Sequence, residues 1–399
     1  MKKYILIILC CLTSFPLWSY NVNMIVEHYS VEQGLPNNTV NCTLKDRDGF
    51  IWFGTWYGLC CFDGVKFKTF NKQEHDSDVP PRKIQRIVED KNGYIWVKTI
   101  DRKLYVFNKV TECFHAVYDD MKNYSENIQV IKLQNTAEGD VLLLTKDKNL
   151  LLAGVDEKGQ VTIKILFDSR NEINKHDYTL KHHVLCETEE YISWIGTDYK
   201  VAAVHKGPEL ASRPADFITS KINSGDKDSF TSFFEDGRKV WVGDRAGIFY
   251  SIDVRTGLVN RYVLSEIKGA ISNLLVTPAG YVYLSVTGQG TYEYDLAERR
   301  LQKINTEMND AMVTHAFIDQ YDKIWFHENE KALIYYDPLN HTAKRFPFTM
   351  FGKITTLYSE DAGERGLFFL SPAGEAWLFD REHAEMVYIN KLKQLSNDR

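Results

Sequence analysis

The residues of this chain whose types could do chemistry recur at one place, just after a series of short aromatic runs. They are Trp56 and Tyr57; Lys98 and Arg102; Tyr199 and Lys200; Asp244 and Arg245; Gln289; and His327 and Asn329. Aromatic rings stack on sugar faces and cations pair with carboxylate or sulfate, so this mixture suits an acidic or neutral oligosaccharide. Trp56-Tyr57 is the most suggestive pair, because exposed aromatics carry a cost without a partner. The plainer reading of each position is a solvated loop polar, or an aromatic packed on the next structural unit.

Catalytic patterns are missing. No Asp/Glu pair recurs at a spacing that would support a glycosidase, and there is no nucleophile elbow, zinc motif or phosphate loop. His182-His183 looks like a metal pair, but adjacent strand residues point to opposite faces and cannot share an ion. Cys42, Cys60, Cys61, Cys113 and Cys186 are scattered and read as buried strand residues, neither a disulfide framework nor a metal set. No catalytic residue, metal or cofactor is therefore expected.

What must position the loop residues is a repeat. Its fullest copy runs from Asp46-Arg47-Asp48-Gly49 through Ile51-Trp52-Phe53-Gly54-Thr55 and Gly58-Leu59 to Phe62-Asp63-Gly64. Asp-Gly and Asn-Gly mark tight turns, and the β-branched and aromatic runs beside them are too short for helices and fit a pleated surface. A second copy reads Asp90-Lys91-Asn92-Gly93-Tyr94-Ile95-Trp96, with Trp96 44 positions after Trp52. Worn copies follow around Leu142, Trp194, Trp241, Tyr283 and Trp325, the last two steps both being 42 residues. A period of this size is one blade of a β-propeller, and a blade cannot bury both its faces without neighbours. The Trp residues are expected to pack between blades, and the Asp at 46, 90 and 319 to cap turns. The expected fold is all-β: a propeller of four-stranded antiparallel blades, seven-bladed with the start of a second propeller, or alternatively a single eight-bladed ring.

The motif, preceded by Tyr29-Ser30 and Gly34-Leu35-Pro36, resembles the two-component regulator propeller repeats. These occur in the periplasmic sensor region of Bacteroides-type hybrid two-component systems. The match is close in the first two blades, moderate in blades four, five and seven, and loose elsewhere. The resemblance implies a sensor of glycan breakdown products that works with a second propeller, downstream sensor domains and a histidine kinase, in a homodimer. No kinase segment is present in this sequence, so no enzyme activity is expected of it. The alternatives are a propeller lyase or glycosidase, with His327 a candidate at its mouth, and a scaffold for protein partners.

Along the chain, residues 1–20 read as a secretory signal: Met1-Lys2-Lys3 is basic, Tyr4 to Leu12 apolar, and the exit polar. An uncleaved anchor is the alternative. Residues 21–345 are assigned to the propeller, with Met24 to Tyr29 as a strand that closes the ring, and residues 346–399 to an eighth blade-like unit. Periplasmic location follows from the signal. A net charge of −6 without a Lys/Arg cluster argues against a nucleic-acid partner.

Overall fold

The computed structural model describes residues 29–70, 80–122, 129–147, 149–168, 180–187, 191–196, 201–205, 230–236, 238–253, 256, 258–304, 313–329, 331–351, 358–361, 366–371 and 375–391. Within them the chain forms eight successive antiparallel sheets, seven with four strands and one with three, and every strand pairs with the next in sequence. This is the meander of propeller blades.

Blade one comprises Val40–Lys45, Ile51–Thr55, Gly58–Phe62 and Phe67–Phe70. Blade two comprises Ile84–Glu89, Ile95–Thr99, Leu104–Asn108 and Cys113–Ala116, and blade three Val130–Asn135, Val141–Thr145, Leu150–Val155 and Val161–Phe167. Blade four has Leu180–Glu187, Tyr191–Gly196 and Val201–His205. Blade five is Phe230–Glu235, Lys239–Asp244, Ile248–Asp253 and Val259–Val263; blade six is Ile271–Val276, Tyr281–Val286, Gly290–Asp295 and Arg300–Lys303. Blade seven is Val313–Ile318, Ile324–Glu328, Ala332–Asp337 and Thr342–Pro347; blade eight is Tyr358–Asp361, Leu367–Leu370, Glu375–Asp380 and Glu385–Lys391. Blade four begins at Leu180, so His182 and His183 lie within its first strand. The signal segment, most of the ring-closing strand, and residues 170–179 lie outside the described residues.

Two compact units divide the chain, Tyr29–Pro347 and a second containing Phe348–Arg399 with Met1–His28. The first holds blades one to seven. In the second, Phe351 packs edge-on against Trp377 at 4.8 Å, and Trp377 against Tyr388 at 5.6 Å.

In four pairs of neighbouring blades the face that carries the repeat aromatic is covered by the next blade. Trp52 joins Ile84, Val97 and Phe107 of blade two; Trp96 joins Val130, Leu133 and Leu143 of blade three. Trp241 meets Ile271 and Leu284, and Tyr283 meets Ile324 and Phe326. The packing is so close that a Cβ on Gly243 would lie 2.4 Å from Ser232 Oγ and 2.7 Å from Ile271 Cγ2. That approach explains the glycine two residues after Trp in the motif: it makes room for the isoleucine of the next blade.

The first strand of a blade is irregular in a repeated way. Its register against the second strand slips by one residue between Val40 and Cys42, Ile84 and Arg86, Phe230 and Ser232, Ile271 and Asn273, and Val313 and His315. A bulge of this kind leaves one backbone carbonyl out of the ladder and re-aims the side chains beside it. Three of these carbonyls are claimed from the preceding blade: Asn41 Nδ2 donates to Ile84 O, Thr231 Oγ1 to Ile271 O and Asn273 Nδ2 to Val313 O, all at 2.7 Å.

Candidate functional site

The bulges concentrate polar side chains on the first strands, and in blades five to seven those strands line a cavity of about 730 Å³. Phe230, Phe233, Phe234 and Phe317 give it aromatic walls; Ser232, Ser272, Asn273 and His315 give it hydroxyl, amide and imidazole groups. Among the described residues its lining contains no Lys, Arg, Asp or Glu. Ser232 Oγ is buried without a hydrogen-bond partner among the described residues. His315 stands directly opposite His327 in the ladder, and His327 Nδ1 lies 2.9 Å from Thr314 Oγ1. Burial, then the neighbouring His315, push the His327 imidazole below its usual pKa, so it is neutral at physiological pH. An uncharged, half-aromatic hollow of this size suits an organic ligand held by ring stacking and a few hydrogen bonds.

The loop residues singled out by sequence fall in several settings. Trp56 and Tyr57 do occupy the turn between the second and third strands of blade one, and are 40% and 62% exposed. The Lys83 ammonium sits over the Trp56 ring at 5.2 Å, so this indole has a cation partner within the protein. Arg245 and Asn329 are exposed turn residues, and Arg102 is a half-buried turn residue with a left-handed φ of 67°.

Lys98, Asp244 and His327 are not loop residues but lie within second strands. Each strand ends on the fourth position of the Trp-x-Gly-Thr pattern, at Thr99, Asp244 and Glu328, so Lys98, Asp244 and His327 belong to the pattern itself and not to the turn after it. Asp244 is buried and its carboxylate is committed: Oδ1 accepts from Ala246 N at 2.9 Å and Ile248 N at 2.8 Å, and Oδ2 faces Tyr250 OH at 3.3 Å. Gln289 holds the neighbouring loop, accepting from Lys268 N at 2.7 Å and donating to Glu266 O at 3.1 Å. Tyr199 and Lys200 lie outside the described residues, as do the side chains of His182, His183 and Trp194. Of the set, the structure brings Lys98 and Arg102 within reach of each other's charge.

Sequence reasoning missed the cavity because it looked at loops. The signal was there: Thr231-Ser232, Ser272-Asn273 and Thr314-His315 are polar pairs at one position of otherwise apolar strands.

A second cluster could hold a cation. Asp46, Asp48 and Glu89 converge as three carboxylates. Lys109 Nζ lies 2.7, 3.1 and 2.6 Å from them respectively, so the protein supplies its own cation and the group ties blade one to blade two.

Comparison with known proteins bears on the repeat. Residues 34–57, covering the first two strands of blade one and the Trp56-Tyr57 turn, match the family described as two component regulator propeller. Blade one carries a two-component regulator propeller repeat. A stretch of 87 residues, 20% of the chain, is 32% identical to Histidine kinase P4 of Formosa agariphila, and is 6% of that protein's length. The chain is also similar to the extracellular domain of a putative hybrid two-component system from B. thetaiotaomicron. The identity is 14%, the TM-score 0.40, and the match covers 92% of this chain and 62% of that one. The Dos1 propeller matches with 13% identity and a TM-score of 0.49 over 85% of this chain and 90% of its own. The chain thus spans less than two thirds of the two-component proteins it matches. Among the described residues of the chain, no helix is long and apolar enough to cross a membrane.

Proposed function

We propose that this chain is a periplasmic sensor module of a two-component system. It binds a glycan breakdown product and relays occupancy, through a second propeller, downstream sensor domains and a homodimer contact, to a histidine kinase outside this sequence. The observation that carries the reading is the regulator propeller repeat of blade one. The cavity on blades five to seven supports a ligand-binding role, since about 730 Å³ falls within the range of small-molecule sites. The module acts by binding and not by turnover, with the signal segment at residues 1–20 directing export.

The test is a thermal-shift screen of the secreted chain against neutral, uronic and sulfated oligosaccharides, with each mixture checked for new products. A ligand present at about 100 times its Kd stabilises the folded state by about 2.7 kcal/mol, enough to read as a shift. A shift without products is expected. Product formation would replace this reading with a propeller enzyme.

A further inference from the structure

Lys98 stands where three other copies of the repeat, at Gly54, Gly196 and Gly243, place glycine. In Trp52-Phe53-Gly54 and Trp241-Val242-Gly243 the residue two after Trp has no side chain, whereas Trp96-Val97-Lys98 puts an ammonium there. The residue is only 5% exposed. Removing an ammonium from water costs free energy that a buried anion normally offsets. Lys98 has no such anion among the described residues: its Nζ donates to the neutral amide oxygen of Gln85.

The surroundings are also cationic. Arg86 is the direct partner of Lys98 in the strand ladder, and like charges so placed are unfavourable. Arg102 follows in the adjoining turn, and neither arginine is in an ion pair among the described residues. Burial first, and then the charge of Arg102, push the Lys98 pKa down. The carboxylate of the same turn, Asp101, accepts from Thr99 and pairs with Lys103 at 3.4 Å. Glu89, at the end of the first strand, is taken by Arg47 and Lys109.

We propose that Gln85, Arg86, Lys98 and Arg102 of blade two form a binding site for an oxyanion group, either a carboxylate or a sulfate ester. Gln85 is the extra residue of the first-strand bulge, and its side chain is exposed. Its amide oxygen holds the acceptor position beside Nζ and swings aside when the anion arrives. The site stands on blade two alone and does not depend on the sensor reading.

The experiment compares melting of the purified chain in sodium sulfate, sodium glucuronate and sodium chloride at matched ionic strength. A site-specific Tm rise of about 2–4 °C is expected in sulfate, glucuronate or both, and not in chloride; in sulfate it is counted over the general rise that the variants below also show, since sulfate stabilises any folded chain by exclusion from its surface. Sulfate alone identifies a sulfate-ester site, glucuronate alone a carboxylate site, and both a site for either group. Lys98→Met removes the buried charge, so it melts no lower than wild type in chloride and loses the anion response. Gln85→Glu places a carboxylate in the acceptor position, raises Tm in chloride and also abolishes the response. It is an exposed substitution and serves if Lys98→Met does not fold. Identical wild-type melting in all three salts overturns the proposal, as does a wild-type response in either folded variant.

Discussion

The repeat's aspartate and tryptophan act as one unit. Asp90 Oδ1 accepts the turn amides of Asn92 and Tyr94, and its Oδ2 accepts the Trp96 indole N–H at 2.9 Å and Val155 N at 3.2 Å. The same indole bond joins Trp52 to Asp46 at 2.8 Å, Trp241 to Asp236 at 2.7 Å and Trp325 to Asp319 at 3.3 Å. Where Leu142 or Tyr283 replaces the tryptophan, the turn residue is Thr136 or Thr277, whose hydroxyl caps the turn but need not reach an indole. Tyr283 instead donates to buried Glu293 at 2.8 Å, which also accepts from Tyr336 of blade seven at 3.1 Å. Asp90→Ala leaves the buried indole and three backbone amides without their acceptor. It should cost about 3 kcal/mol in urea unfolding, whereas Trp96→Phe, which strands only one acceptor, should cost about 1–2 kcal/mol. Equal losses would mean the carboxylate serves the turn no more than the indole does. The turn cap was legible from Asp-x-Asp-Gly; the indole bond was not, because it joins positions five or six apart across a hairpin.

Within the element, the turn glycine sets the hairpin. Gly93 has φ of 88°, and its counterpart in blade seven is Asp322 at φ of 57°. Left-handed angles cost an L-residue about 1–2 kcal/mol, less for Asp. Gly93→Ala should therefore lower stability by about 1–2 kcal/mol, while Asp322→Gly should be neutral or stabilising by up to about 1 kcal/mol. Chemical denaturation of the two variants decides, and a destabilised Asp322→Gly would show that its side chain does more than tolerate the turn. Between elements, Gly243→Ala forces a methyl group against Ser232 and Ile271 and should cost about 1–3 kcal/mol. Hairpin turns and strand order could be read directly, since Asp/Asn-Gly and period-two apolar runs are local signals. The first-strand bulges could not, because the slip depends on a carbonyl accepting a hydrogen bond from the preceding blade, as Val313 O accepts from Asn273 Nδ2.

At the scale of the molecule, stability resides in contacts between neighbouring blades, and some of these titrate. Burial raises the Asp46 carboxyl, but Lys109, the Trp52 indole and Phe50 N–H together hold it below its usual value of 3.8. Within blade seven Asp337 is also lowered, with burial opposed by Lys323, Asn340 and Leu339 N–H. A carboxyl depressed in the folded state stabilises above its unfolded pKa, and that contribution is lost as pH falls through the folded one. Stability should thus decline as pH drops below about 4. Lys109→Met leaves three carboxylates facing one another, so the variant should be least stable relative to wild type at neutral pH. The gap should close as the carboxyls protonate. Urea midpoints measured across this range test the point, and a constant gap would show that Lys109 contributes packing and no charge.

The sequence by itself determined the meander of short strands, the aromatic contact between blades and the two-component regulator repeat. All of these are written in residues close together along the chain. Only the tertiary structure decided that Asp244 is committed to its own turn, that Lys98 and His327 lie in strands, and that the first strands of blades five to seven enclose a hollow. The physical reason is that a cavity or a buried charge is defined by what neighbouring blades bring to it. Ser232, Asn273 and His315 are more than forty positions apart in sequence and share a site only because consecutive sheets stack.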